Sequence, residues 1–152
     1  LEALIQPGMK VLDLGCGSGI MSIAAVKLGA AEVLALDIEA AAVQAARENA
    51  VLNQAAQQIE VMQGSLETVL HSARQFDLVL ANILTPVIMA MCDQQLGDVL
   101  RPDGKGIFSG LQEHEIEDVE AALRKTHLLP YARRRLTQHA ERDWVALEAL
   151  RV

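Results

Sequence analysis

The sequence has 152 residues, 51% of them hydrophobic, and a formal net charge of −7. This length suffices for one compact domain with a sizeable core but not for a second full domain, and the negative charge argues against nonspecific nucleic-acid binding, which needs lysine and arginine to neutralise phosphates. No apolar stretch is long enough to span a membrane and no secretory signal opens the chain, so we expect a soluble, cytoplasmic domain with two reduced cysteines.

The first predicted elements are two apolar strands separated by a glycine-rich loop and a helix. The first strand covers residues 10–14, the helix runs from about residue 19 to residue 28, and the second strand covers residues 32–36. Gly15, Gly17 and Gly19 form the loop, and Gly29 suits the left-handed conformation that commonly follows a helix. Such a loop lets the backbone pass close under a ligand, toward which the helix directs its N-terminal amides.

The spacing of the glycines distinguishes this loop from the dinucleotide-binding fingerprint, which also leads from a strand through glycines to a helix and then to an acidic residue. That fingerprint requires G-x-G-x-x-G, and its third glycine would fall on Ile20, whose side chain would obstruct close packing of the helix on the strand. The pattern here is G-x-G-x-G. The spacing therefore disfavours an NAD-dependent oxidoreductase.

Two carboxylates favour S-adenosylmethionine as the ligand of this loop. Asp37 follows the second strand, where it can accept hydrogen bonds from two ribose hydroxyls. Asp13 lies in the approach to the loop, where it would repel a pyrophosphate but can help to hold the positively charged amino end of a sulfonium amino acid. We therefore predict an S-adenosylmethionine site that includes the neighbouring Cys16 and Ile38. The alternative is a tight strand-to-helix turn that binds no ligand.

Strands and helices continue to alternate through the middle of the chain. The predicted elements are a helix over residues 39–53, a strand over 59–62, a brief helix toward His71, a strand over 76–81 and a helix from Thr85 to about Val99. Thr85 is predicted to cap that last helix, with Pro86 as its first helical residue.

The remaining segments are predicted to complete an open α/β sheet. They are a turn at residues 101–104, a strand over 106–111, a helix over 113–125 and a hairpin of two extended segments, 128–138 and 144–152. Together the elements predict an α/β fold with a doubly wound, mainly parallel seven-stranded sheet and an antiparallel C-terminal hairpin, in one domain over residues 1–152. Ligands of such sheets bind at the carboxyl ends of the strands.

At the end of the fourth strand, Asn82, Ile83 and Leu84 are predicted to form the catalytic part of the site. The usual winding order places this strand beside the first. The side-chain carbonyl of Asn82 can orient an amine so that its lone pair points at the sulfonium methyl, and the backbone carbonyls of Ile83 and Leu84 can accept further hydrogen bonds. Alternatively, Asn82 only ends the strand and bonds the backbone.

Other reactive side chains are interpreted as structural. Cys16 has no adjacent base that would make it a nucleophile, and no metal site is predicted because the histidines, His71, His114, His127 and His139, lack metal-ligand spacing. The arginines at 133–135 alternate faces in an extended strand and are predicted to form a solvated edge. The acidic residues that open the last helix are predicted to favour its dipole; they are Glu113, Glu115, Glu117 and Asp118.

These motifs make the chain similar to the class I S-adenosylmethionine-dependent methyltransferases, and within them it most resembles the bacterial ribosomal protein L11 methyltransferases. The resemblance rests on VLDLGCGSGI at residues 11–20, AARENA at 45–50, ANIL at 81–84 and SGL at 109–111. The glycine motif is specific to the superfamily. The narrower feature is N-I-L, which stands in place of the N-P-P-Y of many amino-group methyltransferases.

The resemblance implies a Rossmann-like methyltransferase fold and trimethylation of lysine ε-amines and an α-amine on a ribosomal protein, which makes the partner a protein and not a nucleic acid. Gly15, Asp37 and Asn82 match the family's cofactor contacts, and Asn82 would also face the substrate amine. Ser65 stands where many relatives have an acidic residue near the adenine. As a neutral group, Ser65 can still form a hydrogen bond there.

The resemblance also implies segments ahead of the first strand. Family members carry an amino-terminal recognition domain and a glycine- and threonine-rich cofactor-binding stretch, neither of which is in this sequence. The chain opens at Leu1 and not at a methionine. We therefore expect it to be the catalytic domain of a longer protein.

Two further functions stay open at this stage. A small-molecule methyltransferase or a methyltransferase of another protein shares the same chemistry, because only N-I-L and the family likeness select a ribosomal substrate. A cofactor-binding module that is catalytically silent would also have the glycine loop and Asp37.

Overall fold

The protein, seen here as a computed structural model that describes residues 1–136 and 144–152, contains a seven-stranded sheet with helices on both faces. The strands are β1 (Lys10–Leu14), β2 (Glu32–Asp37), β3 (Ile59–Gln63), β4 (Phe76–Asn82), β5 (Leu100–Gln112), β6 (Leu128–Leu136) and β7 (Trp144–Arg151). The helices are α1 (Ile20–Lys27), α2 (Ala40–Leu52), α3 (Leu66–Leu70), α4 (Thr85–Asp93) and α5 (Ile116–Lys125). Within the described ranges, no helix has both the length and the apolar character needed to cross a membrane.

The order of the strands confirms the predicted fold. It is β3-β2-β1-β4-β5-β7-β6, with parallel pairing from β3 through β5 and with β7 antiparallel to both β5 and β6. The winding direction reverses between β1 and β4. Ligands of open α/β sheets bind outside the carboxyl ends of the strands at this reversal point.

The sheet is covered on both faces, which explains why its central strands are apolar without alternation. The helices α1 and α2 pack on one face through small side chains such as Ala25, Ala46 and Ala50. The helices α3, α4 and α5 pack on the other face, where Phe76 and Phe108 are the largest fully buried side chains. Because the sheet is buried on both faces, the ends of its strands are held in position. The loops that follow β1, β2 and β4 are therefore held in position as well.

The helix after β4 differs from its prediction at both ends. Its N-cap is Leu84, so the prediction of Thr85 as the cap was wrong: Thr85 is the first helical residue, and its hydroxyl donates a hydrogen bond to Glu115. The predicted end near Val99 was also wrong. The helix ends at Asp93 because Gln95 has a left-handed φ of 65°, and residues 96–99 form a separate 3₁₀ helix.

Strand β5 is longer than predicted and absorbs the predicted turn at residues 101–104. Its pairing with β4 jumps from Phe76 opposite Leu100 to Leu78 opposite Lys105, so the intervening residues bulge out of the ladder. The other predicted strands and helices are confirmed, except that the predicted helix over residues 113–125 begins as a 3₁₀ helix at Glu113–Glu115. The predicted end of β6 at Gln138, the connection after it and His139 lie outside the described residues.

The arginines of β6 lie on the edge strand and alternate faces, as predicted, but they are more than a solvated edge. Each guanidinium is paired with a carboxylate: Arg133 with Glu120, Arg134 with Glu148 and Arg135 with Glu113. These pairs join the edge strand to α5, to β7 and to the turn after β5. Glu113 is therefore an ion-pair partner as well as part of an acidic helix start.

Candidate functional site

The glycine loop after β1 closes onto the end of β2 through backbone hydrogen bonds. The N–H groups of Gly15 and Cys16 donate to the carbonyl of Leu36 at 2.8 and 2.9 Å. Gly15, Gly17 and Gly19 have φ values of 72°, 53° and 78°, in the left-handed region that L side chains rarely adopt. The three alternating glycines therefore have a conformational cause.

The loop also leaves little space for side chains. A Cβ on Gly15 would collide with the Cγ2 atom of Ile83, and a Cβ on Gly19 would lie 3.1 Å from the Cβ of Ala46 on α2. The first contact brings the loop after β1 against the loop after β4. The two loops that the sequence predicts to share a site are thus adjacent.

Asp37, at the end of β2, connects the glycine loop to the start of α2. Its Oδ2 atom accepts the N–H of Gly17 at 2.9 Å, and its Oδ1 atom accepts the N–H of Glu39 at 3.0 Å. Within residues 1–136 and 144–152, no lysine or arginine pairs with this carboxylate. Because a carboxylate has about four lone-pair sites, both oxygens of Asp37 can accept further hydrogen bonds.

Asp13 lies beneath the glycine loop and is only 1% exposed. Its Oδ2 atom accepts a hydrogen bond from the Ser22 hydroxyl at 2.6 Å. Burial raises the pKa of Asp13 to about 6, and the nearby Asp37 charge raises the pKa further while the Ser22 hydrogen bond opposes the rise. A buried carboxylate without a cation is electrostatically costly, and a positive ligand nearby would reduce that cost.

A cavity of about 200 Å³ opens at the carboxyl ends of β1, β2, β3 and β4. Its lining residues are Leu14, Gly15, Asp37, Ile38, Gly64, Ser65, Ile83, Val87 and Met91. The predicted site residues among them are Gly15, Asp37, Ile38, Ser65 and Ile83. The other predicted residues are not part of the lining; they are Asp13, Cys16, Gly17, Gly19, Asn82 and Leu84. The cavity is therefore formed by parts of the four loops that follow β1, β2, β3 and β4.

Sequence reasoning missed the contribution of α4 to this cavity. Val87 and Met91 both line it, and their spacing of four residues places them on one face of the helix. That spacing is visible in the sequence. Which face turns toward the ligand pocket depends on how α4 packs on the sheet, and the sequence alone does not supply that direction.

Asn82 is the last residue of β4, where it pairs with Ser109 of β5. Its side chain is exposed and forms no hydrogen bond with the described part of the chain. In the alternative role, the Asn82 side chain would only form a hydrogen bond with the backbone to end the strand. The described part of the chain shows no such hydrogen bond. The carbonyl of Leu84, in contrast, already accepts N–H groups of Val87 and Ile88 in the first turn of α4.

The two cysteines are poor nucleophiles. Burial, together with the charges of Asp13 and Asp37, raises the pKa of the Cys16 thiol to about 12, and burial raises that of Cys92 to about 11. Since the thiolate is the reactive form, the raised pKa values disfavour both thiols as nucleophiles at neutral pH. Among residues 1–136 and 144–152, no group of three or more His, Cys, Asp or Glu side chains is arranged to hold a metal ion.

Comparison with known proteins identifies one family. The model of the ribosomal protein L11 methyltransferase (PrmA) family matches residues 1–151. A ribosomal protein L11 methyltransferase of Desulfitobacterium hafniense is 44% identical over 149 residues, which cover 98% of this chain and 45% of that protein. One of Symbiobacterium thermophilum is 40% identical over 152 residues, 99% of this chain and 46% of that protein. The chain thus spans about half the length of the curated relatives it matches.

A solved structure of the same family agrees with this assignment. The crystal structure of the ribosomal protein L11 methylase from Lactobacillus delbrueckii subsp. bulgaricus superposes with a TM-score of 0.79 at 35% identity, over 98% of this chain and 72% of that one. The magnesium protoporphyrin IX methyltransferase of Synechocystis PCC 6803, solved with bound SAM, gives a TM-score of 0.79 at 24% identity, over 96% of this chain and 71% of that one. The second similarity shows the fold alone.

Proposed function

This chain belongs to the ribosomal protein L11 methyltransferase family, and we propose that it transfers methyl groups from S-adenosylmethionine to amines of a ribosomal protein. The targets we propose are lysine ε-amines and the N-terminal α-amine of protein L11, modified in the cytoplasm. One observation carries the proposal: at the reversal point of the sheet lie two carboxylates that have no cation, and an asparagine side chain that has no hydrogen bond, among residues 1–136 and 144–152.

The lining of the cavity fits this cofactor. Asp37 has acceptor capacity for ribose hydroxyls, and the buried Asp13 beneath the loop favours a ligand with a positive amino end. Ile38, Val87 and Met91 supply apolar walls suited to a planar base. None of the described residues that line the cavity is a lysine or an arginine that could compensate the charges of a pyrophosphate, which disfavours a dinucleotide.

The chain's own residues position the acceptor amine. When bound, S-adenosylmethionine supplies an electrophilic methyl group on its sulfonium. Asn82 accepts an N–H of the neutral amine through its side-chain carbonyl, which directs the lone pair into the cavity, and the carbonyl of Ile83 offers a second acceptor. Because a protonated amine has no lone pair, the site works by excluding water and selecting the neutral form, without a strong base.

Substrate recognition is proposed to need more than this chain. Residues 1–152 would form the methyltransferase domain, and an amino-terminal domain of the full-length protein would present the ribosomal substrate. The support is that the relatives it matches are about twice as long as the matched segment. Experiments on the substrate therefore use the full-length protein.

The test combines binding with transfer. We expect titration calorimetry of the full-length protein to give heat with S-adenosylmethionine and S-adenosylhomocysteine and none with NAD, and we expect mass spectrometry to locate new methyl groups on L11 after incubation with the cofactor. Asn82→Ala should lose transfer with a smaller loss of cofactor affinity, because Asn82 is predicted both to face the amine and to contact the cofactor.

Heat from NAD alone would overturn the proposed cofactor. Cofactor binding with methyl groups found on another protein or on a small molecule would overturn the proposed substrate. Binding with transfer to nothing would instead identify a silent cofactor-binding module.

A further inference from the structure

The loop after β4 is tied to the turn after β5 by one carboxylate oxygen. The Oγ1 atom of Thr85 donates a hydrogen bond of 2.6 Å to the Oε2 atom of Glu115, which lies 30 residues later in the chain. The same Oε2 atom accepts the backbone N–H of Gln112 at 2.9 Å. Glu115 thus joins the last residue of β5 to the first residue of α4, three residues after Asn82.

The charge of Glu115 is held at this point mainly by hydrogen bonds, with a smaller contribution from the nearby His114. The Thr85 and Gln112 hydrogen bonds lower the pKa of Glu115, so the carboxylate is ionised at neutral pH. Helix α4 has no acidic residue in its first turn and no side-chain hydrogen bond at its cap. Glu115 therefore supplies, from another element, the negative charge that a helix N-terminus favours.

Two further contacts confine the same loop. A Cβ on Gly110, whose φ is +83°, would lie 2.9 Å from the carbonyl oxygen of Ile83 and 3.3 Å from the Oδ1 atom of Asn82. On the other side, Gly15 leaves just enough room for the Ile83 side chain. The segment that carries Asn82 is thus bounded by the glycine loop, by β5 and by the Thr85 to Glu115 hydrogen bond.

We propose that Thr85 and Glu115 are positioning residues that fix the orientation of the Asn82 side chain relative to the cofactor pocket. The inference rests on the proposed function, since it assigns these residues to presentation of the acceptor amine. Neither residue lines the cavity or touches the amine. They act through α4 and the loop, and the hydroxyl of Thr85 is the group that transmits the constraint.

The experiment compares matched variants of the full-length protein. Thr85→Val keeps the shape of the side chain but removes the hydroxyl, whereas Thr85→Ser keeps the hydroxyl. We expect Thr85→Val to lower kcat for L11 methylation about tenfold or more with KM for the cofactor changed less than about twofold, because misplacement of a reacting group affects the chemical step. Thr85→Ser, which keeps the hydroxyl, should have a kcat close to that of the wild-type protein. Glu117→Gln, an exposed neighbouring carboxylate in α5, should change neither constant.

A second readout does not depend on activity. The side-chain amide signal of Asn82, assigned by nuclear magnetic resonance through its loss in Asn82→Asp, should shift or broaden in Thr85→Val and in Glu115→Ala but stay at its wild-type position in Thr85→Ser. The double variant Thr85→Val with Glu115→Ala should lower kcat no further than Glu115→Ala alone, because both changes remove the same hydrogen bond between Thr85 and Glu115.

Three results would overturn the inference: an unchanged Asn82 signal in Thr85→Val, a loss of kcat that Thr85→Ser does not restore, or effects of the two residues that multiply. A wild-type protein that binds the cofactor but methylates nothing would contradict the proposed function alone. The Asn82 signal would still decide whether Thr85 and Glu115 hold that side chain.

Discussion

The amino and carboxyl ends of the central strands differ in whether their carboxylates are paired with a lysine or an arginine. At the amino ends, Glu32 lies 3.2 Å from Lys10 and 2.8 Å from Arg74, and Arg74 also reaches Glu60 at 2.8 Å. Asp77, at the start of β4, is paired in the same way with Arg101. Each of these carboxylates has a cation within the chain.

At the carboxyl ends of the same strands, Asp13 and Asp37 have no such cation among the residues that the structure describes. Within the described ranges they accept hydrogen bonds only from the Ser22 hydroxyl and from backbone N–H groups. A charge that already has a partner contributes modestly to stability. A charge that lacks one raises the free energy of the protein and is available to a positive ligand, so the difference separates the end that stabilises the sheet from the end where we propose that the cofactor binds.

The largest expected effect is on the free energy of unfolding and its pH dependence, when Asp13→Asn removes the buried charge of Asp13. Burial raises its pKa from 3.8 to about 6, so between these values the folded protein keeps a proton that the unfolded chain has released. The contribution to stability is therefore favourable at low pH and is lost as pH rises through this window, by about 3 kcal/mol in total. Urea unfolding between about pH 4 and pH 8 should show this fall in wild type and a flatter profile in Asp13→Asn.

Ser22 provides the matched control for that experiment. Its hydrogen bond opposes the rise in the Asp13 pKa, so Ser22→Ala should steepen the pH dependence. If Asp13→Asn and wild type had parallel stability profiles, Asp13 would not be the uncompensated charge at this end of the sheet.

Asp37→Ala should weaken binding of S-adenosylmethionine by about 1.5–3 kcal/mol, because charge-assisted hydrogen bonds are lost. Calorimetry of the full-length protein measures the change directly. Glu39→Ala is the control, since the exposed Glu39 side chain makes no contact with the cavity and only its backbone bonds Asp37. Unchanged affinity in Asp37→Ala would remove Asp37 from the site.

Features that depend on local spacing were predictable from the sequence. The glycine loop is one, because three positive φ values within five residues require glycine at alternating positions. The alternation of strands and helices and the place of Asp37 at the end of β2 also follow from short segments. Strand order then brings the ends of β1 and β4 together, as the winding rule for such sheets predicts.

Features that depend on contacts between distant segments were not predictable. The hydroxyl of Thr85 was assigned to its own helix because threonine before proline is a common cap, but Glu115, 30 residues away, binds it instead. Val87 and Met91 line the cavity because of how α4 rests on the sheet. The end of α4 is set by the left-handed backbone conformation of Gln95. A glutamine in the sequence does not indicate that conformation.

At the amino ends, Arg74→Met should lower the free energy of unfolding by about 1 kcal/mol and leave cofactor affinity unchanged. The guanidinium pairs with two carboxylates and lies 5.7 Å from the ring centre of Phe76, while its side chain is 32% exposed. Urea unfolding in high salt should reduce the difference between variant and wild type. Lys10→Met, which removes a single more exposed partner of Glu32, should cost less. A loss of cofactor affinity in Arg74→Met would mean that the two ends are coupled.

The smallest effect concerns exposed apolar side chains. Ile38 is 67% exposed beside Asp37, and Leu52 is 77% exposed at the end of α2, outside the cavity. We expect Ile38→Ala to weaken cofactor binding by about 0.5–1 kcal/mol, because the ligand covers apolar surface there, and to change the free energy of unfolding by less than about 0.5 kcal/mol. Leu52→Ala should change neither quantity. Equal affinities in the two variants would show that the ligand does not cover Ile38. A loss of stability in Ile38→Ala alone would instead show that this side chain supports the fold. The carboxyl ends of the strands would then both stabilise the sheet and bind the ligand, whereas the ion pairs and the two uncompensated carboxylates assign these roles to separate ends.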